Sequence, residues 1–186
     1  MNLKHLSIDK TWSLFLDRDG VINHEKEQDY VYNYDEFIFY DGALEAMKIF
    51  TEKFSTIIVA TNQRGVSKGL MTEEDLQDLH KNMQIDIEHA GGRIDHIYYN
   101  TAMTNDDPMR KPQPGMALQA KIDFPKIDFS KSIMVGNNVS DMLFGRNAGM
   151  HTVFLHTTTS DLGLPHDAID LSFDTLIDFA KALHKA

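Results

Sequence analysis

Short β-branched and apolar runs alternate with longer helical patterns along this chain. That alternation limits the possible folds more than any other feature. Residues 13–17 (SLFLD), 56–61 (TIIVAT), 94–100 (IDHIYYN), 132–136 (SIMVG) and 151–155 (HTVFL) read as strands. They are near-continuously apolar, as expected of parallel strands covered on both faces. Helical spacing of apolar residues fills residues 42–53, 115–122, 140–148 and 175–184. A further helix starts at Thr72, a side-chain cap with acidic residues behind it, and stops at Gly91-Gly92. Strand and helix repeat five times, which predicts an α/β fold. It is a doubly wound, Rossmann-like, mostly parallel sheet with helices on both faces. Such sheets bind ligands beyond the carboxyl ends of their strands, so the chemistry is sought there.

The 186 residues fit one domain, 1–186, large enough to need no covalent staple. With no cysteine, a disulfide framework, a thiolate metal site and a cysteine nucleophile are excluded. A net charge of −10 argues against nucleic acid as a partner. No apolar run is long enough to span a bilayer, and residues 1–10 lack a signal-peptide core. A cytoplasmic protein that binds no membrane is therefore expected.

Four polar motifs follow four of the strands. In LFLDRDGVIN, Asp17 closes a strand and Asp19 follows with the two-residue spacing that lets both side chains face one way. Two close carboxylates need a cation or a proton between them, which points to Mg²⁺ with one nucleophilic and one acid/base carboxylate. Alone, the motif is equally a polar turn. In ATNQRGVSKG, Thr61, Asn62 and Gln63 offer a hydroxyl and amides to phosphate oxygens. In RKPQPGM, Arg110 and Lys111 offer a forked donor and a point charge, ahead of a proline that can open a helix. In MVGNNVSDM, Asn137 stands after the strand and Asp141 in the first turn of the next helix. Each motif has an ordinary loop explanation. All four on one sheet edge do not.

In this order, the motifs DRDGVIN, ATNQRGVSKG, RKPQPGM and VGNNVSDM resemble those of the haloacid-dehalogenase-like phosphatases. The likeness covers about residues 12–156. DRDG, Tyr30-Val31, the Phe37-x-Phe39-x-Asp41-Gly42 stretch, TNQ-x-Gly and RKPQPGM resemble one branch. It holds the D-glycero-D-manno-heptose 1,7-bisphosphate and the histidinol-phosphate phosphatases. The resemblance implies that Asp17 is the nucleophile and Asp19 the general acid/base. Thr61 and Lys111 would hold the phosphoryl group, Arg110 would read the substrate and Asp141 would orient. Mg²⁺ would lie on Asp17, the Asp19 carbonyl and Asn137.

Two departures stand out. The family's residue after Gly136 is aspartate, and here it is Asn137. An amide oxygen without formal charge is expected to bind Mg²⁺ more weakly. The branch also carries cysteine and histidine zinc ligands before its Arg-Lys pair. Here those positions are Tyr99, Thr101, Asp107 and Met109, so no structural zinc is expected. His24 is a candidate substrate contact and equally a solvated loop residue. Only 41 residues separate Asp19 from Thr61, and 49 separate Thr61 from Lys111. Neither gap holds a cap domain, which needs roughly 50 residues or more. The site is expected to be open, shaped by residues 24–33 and 100–109.

The expected function is Mg²⁺-dependent hydrolysis of a small phosphorylated metabolite, foremost a heptose 1,7-bisphosphate. Histidinol phosphate or another polyol phosphate is the alternative substrate. A catalytically weak sugar-phosphate binder is the alternative class. A receiver-like phosphorylation switch fits less well, because it has no use for Asp19.

Overall fold

The computed structural model describes residues 3, 6–26, 29–158 and 166–184. Residues 27 and 28 of the predicted site-shaping segment, and part of the N-terminal stretch read for a signal peptide, lie outside the described residues. Six strands form one sheet: β1 (Ser13–Leu16), β2 (Thr56–Asn62), β3 (His96–Asn100), β4 (Ser132–Gly136), β5 (His151–Leu155) and β6 (Leu171–Phe173). Every pairing is parallel, in the order β3-β2-β1-β4-β5-β6. From β1 the chain steps outward to β2 and β3. It then returns to β4 on the other side of β1. The winding direction therefore reverses between β1 and β4, which opens a crevice at their carboxyl ends. Leu16 pairs with both Val59 and Val135, so β1 and β4 end nearly level while β2 runs on to Asn62.

The central strands are buried on both faces, which explains their unbroken apolar runs. Leu14, Leu16, Ile57, Val59, Ile133 and Val135 face one side. They meet Met47 and Phe50 of α1 (Ala43–Lys53), Leu79 and Met83 of α3 (Glu73–His89), and Phe179 of α6 (Leu176–His184). Phe15, Ile58, Ala60 and Met134 face the other side. There they meet Met116 and Ala120 of α4 (Gly115–Asp123) and Phe144 of α5 (Val139–Ala148). A single turn, α2 (Arg64–Ser67), follows β2. Thr72 caps α3 in a reciprocal box with Asp75. Among the described residues no helix is long and apolar enough to cross a membrane.

Three details differ from the sequence reading. β6 is an additional strand; it has three residues, none buried, at the sheet edge, and so carries no apolar run. β3 begins at His96, because the Asp95 carboxylate instead accepts from Ile57 N at 2.8 Å and pairs with Arg93. Pro112 does not open α4; Pro114 stands at its N-cap, and the helix begins at Gly115.

Candidate active site

The reversal between β1 and β4 places the residue after each strand at the mouth of one cleft of about 210 Å³. Asp17, Asp19, Thr61, Asn62, Arg110, Lys111, Asn137 and Asp141 all line it. At its floor lies an ion trio. Lys111 Nζ is 2.9 Å from Asp17 Oδ1 and 2.7 Å from Asp141 Oδ1, and the lysine is almost wholly buried. Asp141 reaches the lysine from the first turn of α5, where its other oxygen accepts from the Asn138 backbone N–H at 3.0 Å. Gly136 makes this possible, since a Cβ there would overlap the Asp141 carboxylate. Asp141 is thus both a helix cap and a partner of Lys111.

Burial, and then the charge of Asp141, push Asp17 up to about 7, although Lys111 pulls the other way. Burial alone would lower Lys111; the two carboxylates outweigh it and hold the ammonium above its ordinary range. Two carboxylates therefore share one cation. Asp17 Oδ1 is held further by Arg18 N at 2.7 Å.

Asp19 sits in a different environment. Arg18 grips it through Nε and Nη2 at 2.8–3.2 Å, Asn23 Nδ2 donates to Oδ1 at 2.9 Å and Gln63 Nε2 to Oδ2 at 2.8 Å. Burial would raise this carboxyl, but the Arg18 charge and the three donors overcome it and hold the group below its usual range.

A family model described as "Polynucleotide kinase 3 phosphatase" matches residues 9–178. The D-glycero-alpha-D-manno-heptose-1,7-bisphosphate 7-phosphatase of Campylobacter jejuni is 40% identical over 146 residues, 78% of this chain and 83% of that protein. Its beta-anomer counterpart in Pasteurella multocida is 36% identical over 153 residues, covering 78% and 82%. The D,D-heptose 1,7-bisphosphate phosphatase of B. bronchiseptica, solved with magnesium and phosphate, superposes with a TM-score of 0.83. It is 27% identical and covers 94% of this chain and 98% of its own. The chain belongs to the haloacid-dehalogenase-like phosphatase family. It is a phosphatase.

The other sequence-selected residues of this phosphatase take several positions. Thr61 is buried at the end of β2, and its hydroxyl oxygen accepts from Gln63 Nε2 at 2.9 Å, leaving its proton free to donate. Asn62 lines the cleft, but its amide is committed to the Lys111 main chain in both directions at 3.1 Å. It fixes the lysine rather than offering an amide to a ligand. Gln63 is buried and does not line the cleft, because its side chain is used on Asp19, Thr61 and Arg18. Arg110 is anchored to Ala102 O at 2.9 Å and to Asn105 Oδ1 at 3.2 Å. His24 packs against the Tyr40 ring at a tilt and is not among the lining residues.

Of the two predicted shaping segments, the first lines the cleft through Glu25, Lys26, Asp29, Tyr30 and Val31. The second does not line it. It forms a clip, in which Asp107 Oδ1 accepts from Asn100 Nδ2 at 3.1 Å and from Met109 N at 2.8 Å. That clip lies just before Arg110.

The donor set suits a hard cation. Asp17 and Asn137 present oxygen, and the deficit of positive charge between Asp17 and Asp141 is what a divalent ion relieves. Asn137 Nδ2 donates to Thr158 Oγ1 at 2.6 Å, which leaves its amide oxygen as the end open to a cation. Thr157 Oγ1 donates to Gly20 O at 2.5 Å, so the segment after β5 braces both halves of the crevice. Gly20 has φ +77°, and the space where its Cβ would stand is filled by the Asn137 amide.

Arg18, His80, Asn23 and Thr158 escaped the sequence reading as site residues. Arg18 lies inside DRDG, and His80 interrupts the apolar face of α3; both were visible signals.

Proposed function

We propose that this phosphatase cleaves the C7 phosphomonoester of a D-glycero-D-manno-heptose 1,7-bisphosphate through an aspartyl-phosphate on Asp17. The supporting observation is the Asp17–Lys111–Asp141 trio at the crevice between β1 and β4, with Thr61 alongside. The names of the Campylobacter jejuni and Pasteurella multocida relatives support the substrate, and they include both anomers.

In this reading an Asp17 oxygen attacks phosphorus in line. The P–O bond to the sugar breaks, and Asp19, whose carboxylate takes up a proton when the dianionic ester lies beside it, gives that proton to the departing oxygen. Water then attacks the aspartyl-phosphate and gives a proton back to Asp19. The P–O bond to Asp17 breaks and inorganic phosphate is released. Thr61 Oγ1 and Lys111 Nζ donate to the phosphoryl oxygens as charge spreads over them. The Asp17 carboxylate, the Asp19 carbonyl and the Asn137 amide oxygen would hold Mg²⁺. When bound, Mg²⁺ supplies positive charge to the transferring phosphoryl group. Asp141 keeps Lys111 in place, and Arg110 contacts the rest of the substrate. Residues 1–186 act as one domain without a cap, so Glu25, Lys26, Asp29, Tyr30 and Val31 border an open mouth.

The test is phosphate release by purified protein with Mg²⁺ from both heptose bisphosphate anomers and from histidinol phosphate. A heptose bisphosphate is expected to show the highest kcat/KM. Preference for histidinol phosphate would overturn the substrate. Binding of sugar phosphates with no release from any ester would favour the binding-protein reading, which Asn137 motivates.

A further inference from the structure

Asp19 does not stand alone in the cleft wall. Its grip runs outward to a residue with no place in the chemistry above. Arg18 is 1% exposed and sends its donors in three directions. Nε and Nη2 hold Asp19, Nη2 also reaches Gln63 Oε1 at 3.1 Å, and Nη1 lies 3.0 Å from His80 Nε2. His80 comes from α3, 62 residues away, and is itself buried. Its ring packs beside Tyr99 of β3, with centroids 5.7 Å apart.

A guanidinium has only donors, so Nε2 must be the acceptor and the ring proton must sit on Nδ1. A charged imidazolium there would place two cations in contact. Burial, and then the Arg18 charge, hold His80 down at about 3, so the ring is neutral at any working pH. The imidazole is therefore a fixed lone pair, aimed at the edge of the guanidinium that faces away from Asp19.

We propose that His80 is a positioning residue for proton transfer: it braces Arg18, and Arg18 sets where the Asp19 carboxyl stands against the leaving oxygen. This rests on the role given to Asp19 above. Without the brace, the guanidinium keeps Asp19 and Gln63 but can pivot about them, and the carboxyl moves with it. Misplacement by about 1 Å costs about a hundredfold in a step that depends on orientation. In the transfer of phosphoryl to Asp17, that loss falls only where the leaving group needs a proton; the later hydrolysis of the aspartyl-phosphate is common to all esters. A sugar alkoxide needs one, whereas p-nitrophenolate leaves without it.

The experiment compares wild type, His80→Leu and His80→Gln with Mg²⁺ on two esters, heptose 1,7-bisphosphate and p-nitrophenyl phosphate. His80→Leu is expected to lower kcat/KM, which reports the steps up to departure of the leaving group, about 10²-fold on the sugar ester and less than about tenfold on the aryl ester. His80→Gln, whose Oε1 can accept from Arg18, is expected to recover most of the sugar-ester rate. His80→Leu in an Asp19→Ala background is expected to slow the sugar ester little further, because the group it positions is gone.

Equal losses of kcat/KM on both esters, no rescue by glutamine, or full additivity with Asp19→Ala would each overturn the positioning role while the phosphatase reading stands. Wild-type protein that releases phosphate from neither ester would overturn that reading and this inference with it.

Discussion

A neutral, buried His80 has a consequence for stability that needs no substrate. Its folded value of about 3 lies far below the ordinary 6.5. Between those values the unfolded chain binds a proton that the folded chain does not, so stability falls as pH falls. The contribution is fully present above 6.5 and is lost progressively on acidification toward 3. From pH 7 to pH 5 the unfolded imidazole goes from mostly neutral to almost wholly charged, while the folded one stays neutral. That difference amounts to about 2 kcal/mol. It is set by the unfolded side chain and hardly changes for any folded value below about 4.

Asp17, raised to about 7, titrates in the same window and acts in the opposite sense, because the folded chain binds its proton more tightly than the unfolded one. Comparison with His80→Gln removes that contribution. Urea unfolding of both proteins at pH 7 and pH 5 gives four free energies. Wild type should lose about 2 kcal/mol more than His80→Gln across the interval. A difference below about 0.5 kcal/mol, or one of opposite sign, would mean that His80 is charged or free in the folded state, and the acceptor role toward Arg18 would fall.

Asp17→Asn should abolish phosphate release yet leave the urea midpoint unchanged or raised, because it removes one of two carboxylates competing for Lys111. Retained turnover would remove Asp17 as nucleophile. Lys111→Met leaves Asp17 and Asp141 facing each other without a cation and should cost about 3–5 kcal/mol by urea unfolding. A loss below about 1 kcal/mol would show the trio to be solvated. Asn137→Asp should tighten Mg²⁺ about tenfold by calorimetry, since a carboxylate brings formal charge to the same oxygen position. An unchanged affinity would exclude residue 137 as a ligand. Inorganic phosphate should bind measurably only when Mg²⁺ is present, again by calorimetry, and equal binding without the metal would refute the coupling.

The sheet was legible because its central strands are buried on both faces and so betray themselves as apolar runs. β6 was not, because Leu171–Phe173 lies at the edge with no residue fully buried. The cleft residues Asp17, Thr61, Lys111, Asn137 and Asp141 were legible for a topological reason. Each lies at the end of a strand or in the segment leading from a strand into the first turn of the next helix, on the edge where doubly wound sheets bind ligands. What the sequence did not reveal is where polar side chains point. Thr61, Asn62 and Gln63 are consecutive, yet one faces the cleft, one staples the Lys111 main chain and one turns inward to Asp19. Their partners lie 44 and 49 positions away, beyond the reach of local pattern. His80 was visible as a polar interruption of an apolar helix face. Only the folded chain brings Arg18 to it.

The charge of the cleft explains why phosphate binding should wait for the metal. Among the described residues lining it are five carboxylates, Asp17, Asp19, Glu25, Asp29 and Asp141, against three cations, Lys26, Arg110 and Lys111. The deepest cation, Lys111, is already balanced by Asp17 and Asp141 at under 3 Å. Lys26 is paired with Glu36 at 2.7 Å, and Arg110 is turned partly toward the Ala102 carbonyl. A dianionic ester thus meets a surface with no uncommitted positive charge at its floor. The net charge of −10 deepens that deficit at long range. A divalent ion held by Asp17 and Asn137 would reverse the local sign and would free Lys111 to turn part of its charge toward the phosphoryl oxygens. The two ligands then favour each other by the same factor, as linkage requires. An aspartate at 137 would strengthen the metal's hold but return one negative charge to the place the phosphoryl group must approach. In the proposed site, the asparagine would therefore exchange metal affinity for a less repulsive floor.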